Sequence, residues 1–382
     1  MNAKKYNNTK LIIGIAKTVL SFIIVLFFVM SGLSKSLELS LSEFVSGDYF
    51  VFILFVISAG MIISIIFSPL NFYSGFVLEH KYNLSNQTFF KWLFEDLKEA
   101  AVSFAIGLPI LLFFFFSINR FGSMWWLPFA IILFVVSVIL ARIIPVLILP
   151  LFYKLTPIED EELRKRIASL SESAGIKVQN IYKFNMSKDT KKANAAFTGI
   201  GKSKRILLSD TLLENYSHDE IETVVAHELG HYEKKHITKN IIIGTVFSFL
   251  TLFIIAGLYE ISIEWFGFNS ITQIAALPLL VLWGMLVGLV LSPISNMISR
   301  GFEYEADEYA VASTGKLSAF INTLEKLTEQ NLGDKEPHPV VEWFFYSHPS
   351  IKKRINEIFR FAGKTEMNTE NPNVKTYDIK RG

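Results

Sequence analysis

The chain has 382 residues, a formal net charge of +2, 51% apolar residues and 35 phenylalanines. Only 19% of it is charged, against about a quarter in soluble domains, and its mean hydropathy is +0.39. No basic face points to nucleic acid, and the apolar content excludes a disordered chain. The absence of cysteine excludes disulfides, thiolate metal ligands and cysteine nucleophiles, so any metal must be held by His, Asp or Glu.

A helix needs about 20 apolar residues to cross about 30 Å of hydrocarbon. Six stretches qualify, at 11–33, 50–71, 100–118, 125–153, 239–258 and 272–298. The first runs too long for a cleaved signal peptide and lacks a clean small-residue exit. Basic residues set the orientation. Lys4, Lys5 and Lys10, then Lys81, Lys91 and Lys98, then the Lys/Arg-rich stretch 154–238 fall on one side. The other side carries Lys35, Arg120 and a loop with Glu260 and Glu264 but no base. Both termini and the polar stretch are therefore expected in the cytosol. Arg142 lies in the fourth span beside Pro145 and Pro150. A charge at that depth is costly unless it snorkels, is paired or meets water, so Arg142 either anchors locally or lines an aqueous cavity. The prolines predict a broken helix there.

The stretch 154–238 reads as a small α/β piece. Residues 159–174 have helical period, and 180–184 and 205–209 read as strands. Between them, Asn194 to Gly201 forms an edge strand ending in a glycine turn. The expected organisation is an N-terminal membrane region over 1–153 with four spans, a second domain over 154–362 that includes spans five and six, and a mobile tail over 363–382.

Chemistry concentrates in Ser217 to His231. Ser217 and Glu220 form a capping box that starts a helix. On it His227 and His231, four residues apart, share a face and can chelate one zinc ion. Glu228, about 100° round the helix, reaches a metal-bound water as general base. This is the H-E-x-x-H pattern. The third ligand is not a metzincin histidine: that register holds Lys234 and Ile237, and His236 is one residue out. An acid from 303–308 is the alternative. The motif helix runs into the fifth span and the sixth returns into Glu303, so antiparallel spans bring all three to one height. Glu303 and Asp307 share a face, about 40° apart. Glu305 is about 160° from Glu303 and points away, and Glu308 falls on the Glu305 side.

The ordered series Gly75 to Tyr82, Pro150 to Pro157, Asn194 to Gly199, Arg205 to Leu213, His227 to His231, Phe302 to Asp307 and Ser347-His348-Pro349 resembles the integral-membrane zinc proteases of the type-I CAAX prenyl endopeptidase family. The resemblance covers about residues 70–360. It implies an all-α multi-pass membrane bundle of about six helices carrying a small cytosolic α/β zinc-protease domain with a gluzincin-like site. It further implies one Zn2+ per chain on His227, His231 and Glu303, with Glu228 as base. Asp307 would orient a zinc histidine, and His348 would stabilise the oxyanion. Asn194, with Ala195 and Phe197 on its strand, would hold the substrate backbone. A water-filled chamber in the family fold would suit Arg142.

The chain departs from the family in places. Six spans are counted where eukaryotic relatives have seven. After His348-Pro349 the chain reads Ser350 to Arg354, keeping the family's Arg but losing its Glu. No endoplasmic-reticulum retention sequence ends the chain. These points favour a prokaryotic member in a bacterial or archaeal cytoplasmic membrane. The reading is a zinc-dependent membrane endopeptidase that acts by attack of zinc-bound water, in CAAX-type processing or membrane-protein quality control. Its partners would be the lipid bilayer and a peptide or protein that is prenylated or membrane-embedded, without nucleic acid. The alternatives are a transporter or channel with a structural metal, and an inactive scaffold. Glu228 argues against both, and a structural site would normally close with four protein ligands.

Overall fold

The computed structural model describes residues 3–174, 181–199 and 204–369. Ile200 and Gly201 of the expected glycine turn, and the tail beyond Thr369, lie outside them. Among the described residues six helices are long and apolar enough to cross a membrane: Ala3–Met30, Asp48–Lys81, Phe89–Met124, Trp126–Phe152, His236–Trp265 and Ile274–Thr314. Each contains or overlaps one expected span. The described residues are mostly helical, with one small sheet.

The chain divides into two compact units, one of residues 1–144 and 238–292, the other of 145–237 and 293–382. In the first, Phe52, Phe115, Ile118 and Tyr259 pack into a buried core. Rings stack where helices meet, as Phe52 and Phe115 do at 4.3 Å. Glu38 accepts from the backbone N–H groups of Ile274 and Ala275 at 3.2 and 3.1 Å, which supplies partners that a helix start otherwise lacks.

The helix Trp126–Ile143 does not break at Pro145. It passes through a π turn, Ile144–Ile148, into Leu149–Phe152. Pro145 has no N–H to donate back along the helix, and the wider turn absorbs that loss while the chain stays helical.

In the second unit four strands have the order β1-β2-β4-β3: Leu155–Pro157, Ile181–Phe184, Arg205–Ser209 and Ala195–Thr198 for β1, β2, β4 and β3. β2 and β4 are parallel, and the outer pairs are antiparallel. β4 is central and its Ile206 and Leu208 are fully buried. They join Ile167, Leu212, Val225, Leu229 and Phe320 in a second core. The helix Glu161–Ser173 starts where the Asp160 side chain accepts from Leu163 N–H.

The helix His218–Glu233 opens on the expected capping box. Ser217 Oγ accepts from Glu220 N–H at 3.3 Å, and the Glu220 carboxylate accepts from Ser217 N–H at 2.8 Å. This helix packs on the long helix Pro278–Thr314 at Gly230. A β-carbon at Gly230 would lie 3.0 Å from Ala306 Cα and 3.1 Å from Ala306 O and Tyr309 Cβ. Only glycine allows that approach without displacement, and the approach brings the acids of one helix to the histidines of the other.

Candidate metal centre and active site

His227 Nε2 and His231 Nε2 lie 3.2 Å apart. Glu303 Oε2 is 3.5 Å from the first and Glu303 Oε1 is 3.4 Å from the second. Four-coordinate zinc with bonds of about 2.0–2.1 Å has donors about 3.3 Å apart; the two imidazole nitrogens meet that spacing, and each has one oxygen of the Glu303 carboxylate at a similar distance. The outer ring nitrogens are engaged elsewhere. His227 Nδ1 is 2.9 Å from Asp307 Oδ1, and His231 Nδ1 is 2.9 Å from His236 Nδ1. With protons on both Nδ1 atoms, both Nε2 lone pairs face one point.

Glu303 Oε2 is buried with no hydrogen-bond donor in proper geometry, although His348 Nδ1 lies 3.0 Å away. A buried carboxylate oxygen normally finds a partner, and a cation at the shared point supplies one. Burial disfavours the His227 imidazolium, but the Asp307 and Glu303 carboxylates outweigh it and lift the pKa to about 9. The surroundings therefore favour positive charge at this point, and the donor set of two imidazoles and one carboxylate suits zinc.

Arg354 clamps Asp307 with two contacts, Nε to Oδ2 at 2.8 Å and Nη2 to Oδ1 at 2.5 Å. Burial works against the guanidinium charge, but Asp307 beside it raises the Arg354 pKa above its ordinary value. The clamp fixes the carboxylate that faces His227. Arg354 is the family arginine kept after His348-Pro349, and the sequence alone assigns it no task.

Glu228 faces the sheet edge. Its carboxylate accepts from Phe197 N–H at 3.2 Å. β3 is an edge strand paired only with β4 among the described strands. Asn194 N–H donates to Ser209 Oγ at 3.0 Å, and Asn194 C=O accepts from Ser209 N–H at 2.9 Å. With a period of two, Ala195 and Phe197 then point their backbone groups away from β4. At Ala193 the Asn331 side chain takes both backbone groups, at 2.9 and 3.0 Å. The open edge thus covers Ala195 and Phe197. Asn194 is exposed and sits just ahead of β3.

His348 is exposed over 66% of its side chain. Its loop is held from below. Arg300 donates to the carbonyls of Glu342 and Tyr346 at 3.1 and 2.6 Å. Asn296 donates to the carbonyl of Phe344 at 2.7 Å, and the buried Glu342 accepts from Ser350 N–H at 3.1 Å. Arg300, Asn296 and Glu342 were not singled out from sequence. Arg142 belongs to the other unit, exposed in the last turn of Trp126–Ile143.

Two family models match the chain. Residues 157–361 match peptidase family M48. Residues 1–154 match the CAAX prenyl protease N-terminal region, described as five membrane helices; among the described residues of that stretch four are of membrane length. A Bacillus subtilis protein named as an uncharacterized metalloprotease, YhfN, is 31% identical over 92% of this chain and 84% of its own length. CAAX prenyl protease 1 of Saccharomyces cerevisiae is 34% identical over 76% of this chain and 68% of its own. The crystal structure of S. mikatae Ste24p matches with a TM-score of 0.84 and 30% identity, over 93% of this chain and 88% of that one. The chain belongs to peptidase family M48 and is an integral-membrane metalloprotease whose fold is that of Ste24p.

Proposed function

We propose that the metal is a single zinc ion on His227, His231 and Glu303, and that the protein is a zinc-dependent endopeptidase of a prokaryotic cytoplasmic membrane. Its site and both termini would face the cytosol, on the side of the Lys-rich segments. One observation carries this reading. Glu228, next in sequence to His227 of the three-donor cluster, accepts from the outward-facing Phe197 N–H of β3 at 3.2 Å.

Zinc bound there supplies Lewis-acid activation of water and of the scissile carbonyl. The residues do the rest. An extended substrate pairs with Ala195 and Phe197 as an added strand, with Asn194 beside it. Phe197 N–H then moves from Glu228 to a substrate carbonyl, which frees the carboxylate. Glu228 takes the proton of the attacking water and passes it to the leaving amine. His348 donates to the oxygen on which charge develops. Asp307, fixed by Arg354, holds the His227 ring in its metal-facing tautomer.

The name of the yeast relative assigns CAAX prenyl substrates to that protein. For this chain we propose a peptide or protein substrate that is prenylated or membrane-embedded. Purified protein should cleave a quenched fluorescent peptide in a chelator-sensitive manner. Comparison of the same peptide with and without a prenyl group separates the two substrate classes. No cleavage of either class by zinc-loaded protein would contradict the proposal.

A further inference from the structure

His236 is one residue out of the metzincin register, yet it is buried at 1% exposure beside His231. Its Nδ1 is 2.9 Å from His231 Nδ1, and its Nε2 is 3.0 Å from Glu305 Oε2. The ring lies flat on Phe302, centroids 4.2 Å apart and planes 12° apart. His236 reaches this place through a tight turn. The motif helix ends at Glu233, and the next begins at His236. Lys235 between them has φ +58°, a left-handed conformation that a side chain makes unfavourable. Neither Lys235 nor His236 is used by the proposed mechanism.

One assignment of ring protons satisfies all these contacts. A His231 that points its Nε2 lone pair at a metal carries its proton on Nδ1. That proton is donated to His236 Nδ1, which must then be the acceptor. The His236 proton is left on Nε2, where it is donated to Glu305. The three side chains form one chain, from a carboxylate through a neutral imidazole to the metal-facing imidazole.

We infer that Glu305 and His236 are positioning residues that fix the tautomer and ring orientation of His231, as Asp307 does directly for His227. The inference rests on the proposed metal site. The two histidine ligands are thus supported unequally, one by a carboxylate in contact and the other by a carboxylate one ring away. Metal-ligating histidines commonly donate their second N–H to such a partner; here the partner is itself a histidine. The helix phase that turns Glu305 away from Glu303 also turns it towards His236.

The test measures zinc affinity by competition with a chromophoric chelator on the full chain in detergent, alongside thermal unfolding. His236→Phe keeps the stack on Phe302 but accepts no hydrogen bond, and should weaken zinc about 10–100-fold, the usual cost of losing such support. Glu305→Gln, which still accepts from His236, should cost less than Glu305→Ala. If the effect of Glu305 on zinc runs through His236, the double variant His236→Phe/Glu305→Ala should be no weaker than His236→Phe alone. A packing role would leave Gln and Ala at 305 alike and the two sites additive, and either outcome overturns the inference. Parental affinity in His236→Phe also overturns it. If His236→Phe does not fold, parental affinity in Glu305→Ala does so instead. His231→Ala separates the two levels. Undiminished zinc in that variant defeats the metal site itself, whereas zinc loss there with no effect at 236 and 305 defeats only this inference.

Discussion

Gly230→Ala sets two effects of opposite sign against each other. Inside a helix, alanine is favoured over glycine by about 1 kcal/mol, so propensity alone predicts a more stable protein. The structure predicts the reverse. The new methyl would sit 3.0 Å from Ala306 Cα and 3.1 Å from Ala306 O and Tyr309 Cβ, and two of these three atoms are backbone. Ordinary contact needs about half an ångström more, so the two helices must part by roughly that much. Overpacking of this kind costs about 1–3 kcal/mol, which equals or exceeds the gain. The local effect is larger than the global one, because Ala306 lies between Glu303 and Asp307. Donor separations of 3.2–3.5 Å leave little slack for such a shift. Zinc affinity should therefore fall about tenfold or more, while the melting temperature of the metal-free protein changes modestly. Chelator competition and thermal unfolding, each with and without zinc, measure both quantities. A variant that gains stability and keeps parental zinc affinity would refute the claim that this contact sets the site.

Three further outcomes follow from the same geometry. Asp307→Asn removes the charge facing His227 and one partner of the Arg354 clamp, so zinc affinity should drop about 10–100-fold; chelator competition reads this, and an unchanged constant would contradict the assigned role. His348 is largely exposed, so His348→Ala should cost about 10²–10³ in kcat with bound zinc little changed; loss of zinc would show that it acts on Glu303 instead. In zinc-stripped protein the His227 pKa is raised from 6.5 to about 9, so its imidazolium stabilises the fold fully below about 6.5 and loses that effect as pH rises through about 9. Zinc must displace this proton, so apparent affinity should climb by up to about tenfold per pH unit until about 9 and then flatten; a flat profile from 6.5 to 9 would show that His227 is already neutral.

The membrane helices were legible because hydropathy over 20 residues is a strong signal. β2 and β4 showed as short apolar runs, and β3 as an edge strand ahead of a glycine turn. β1 did not, since three residues ending in Pro157 carry no alternation. The continuous helix through Pro145 was misread as a break, because proline costs one hydrogen bond and a π turn absorbs that cost locally. At the site, the four-residue spacing of His227 and His231 and the helix phase of Glu303 and Asp307 are local properties, so sequence exposes them. What it hides depends on tertiary approach. Arg354 reaches Asp307 from 47 residues away. In the sequence His236 shows only as one residue out of the metzincin register. Its position behind His231 depends on a left-handed Lys235, which no propensity rule suggests. Gly230 sits inside a recognisable motif, but its reason is the backbone of another helix.

The most direct test of the account measures zinc content and peptide cleavage together in Glu228→Gln and Glu303→Ala. Glu228→Gln should retain one zinc per chain and lose about 10²–10⁴-fold in hydrolysis, whereas Glu303→Ala should lose stoichiometric zinc and activity together. Undiminished cleavage by zinc-loaded Glu228→Gln, or full zinc occupancy in Glu303→Ala, would contradict it.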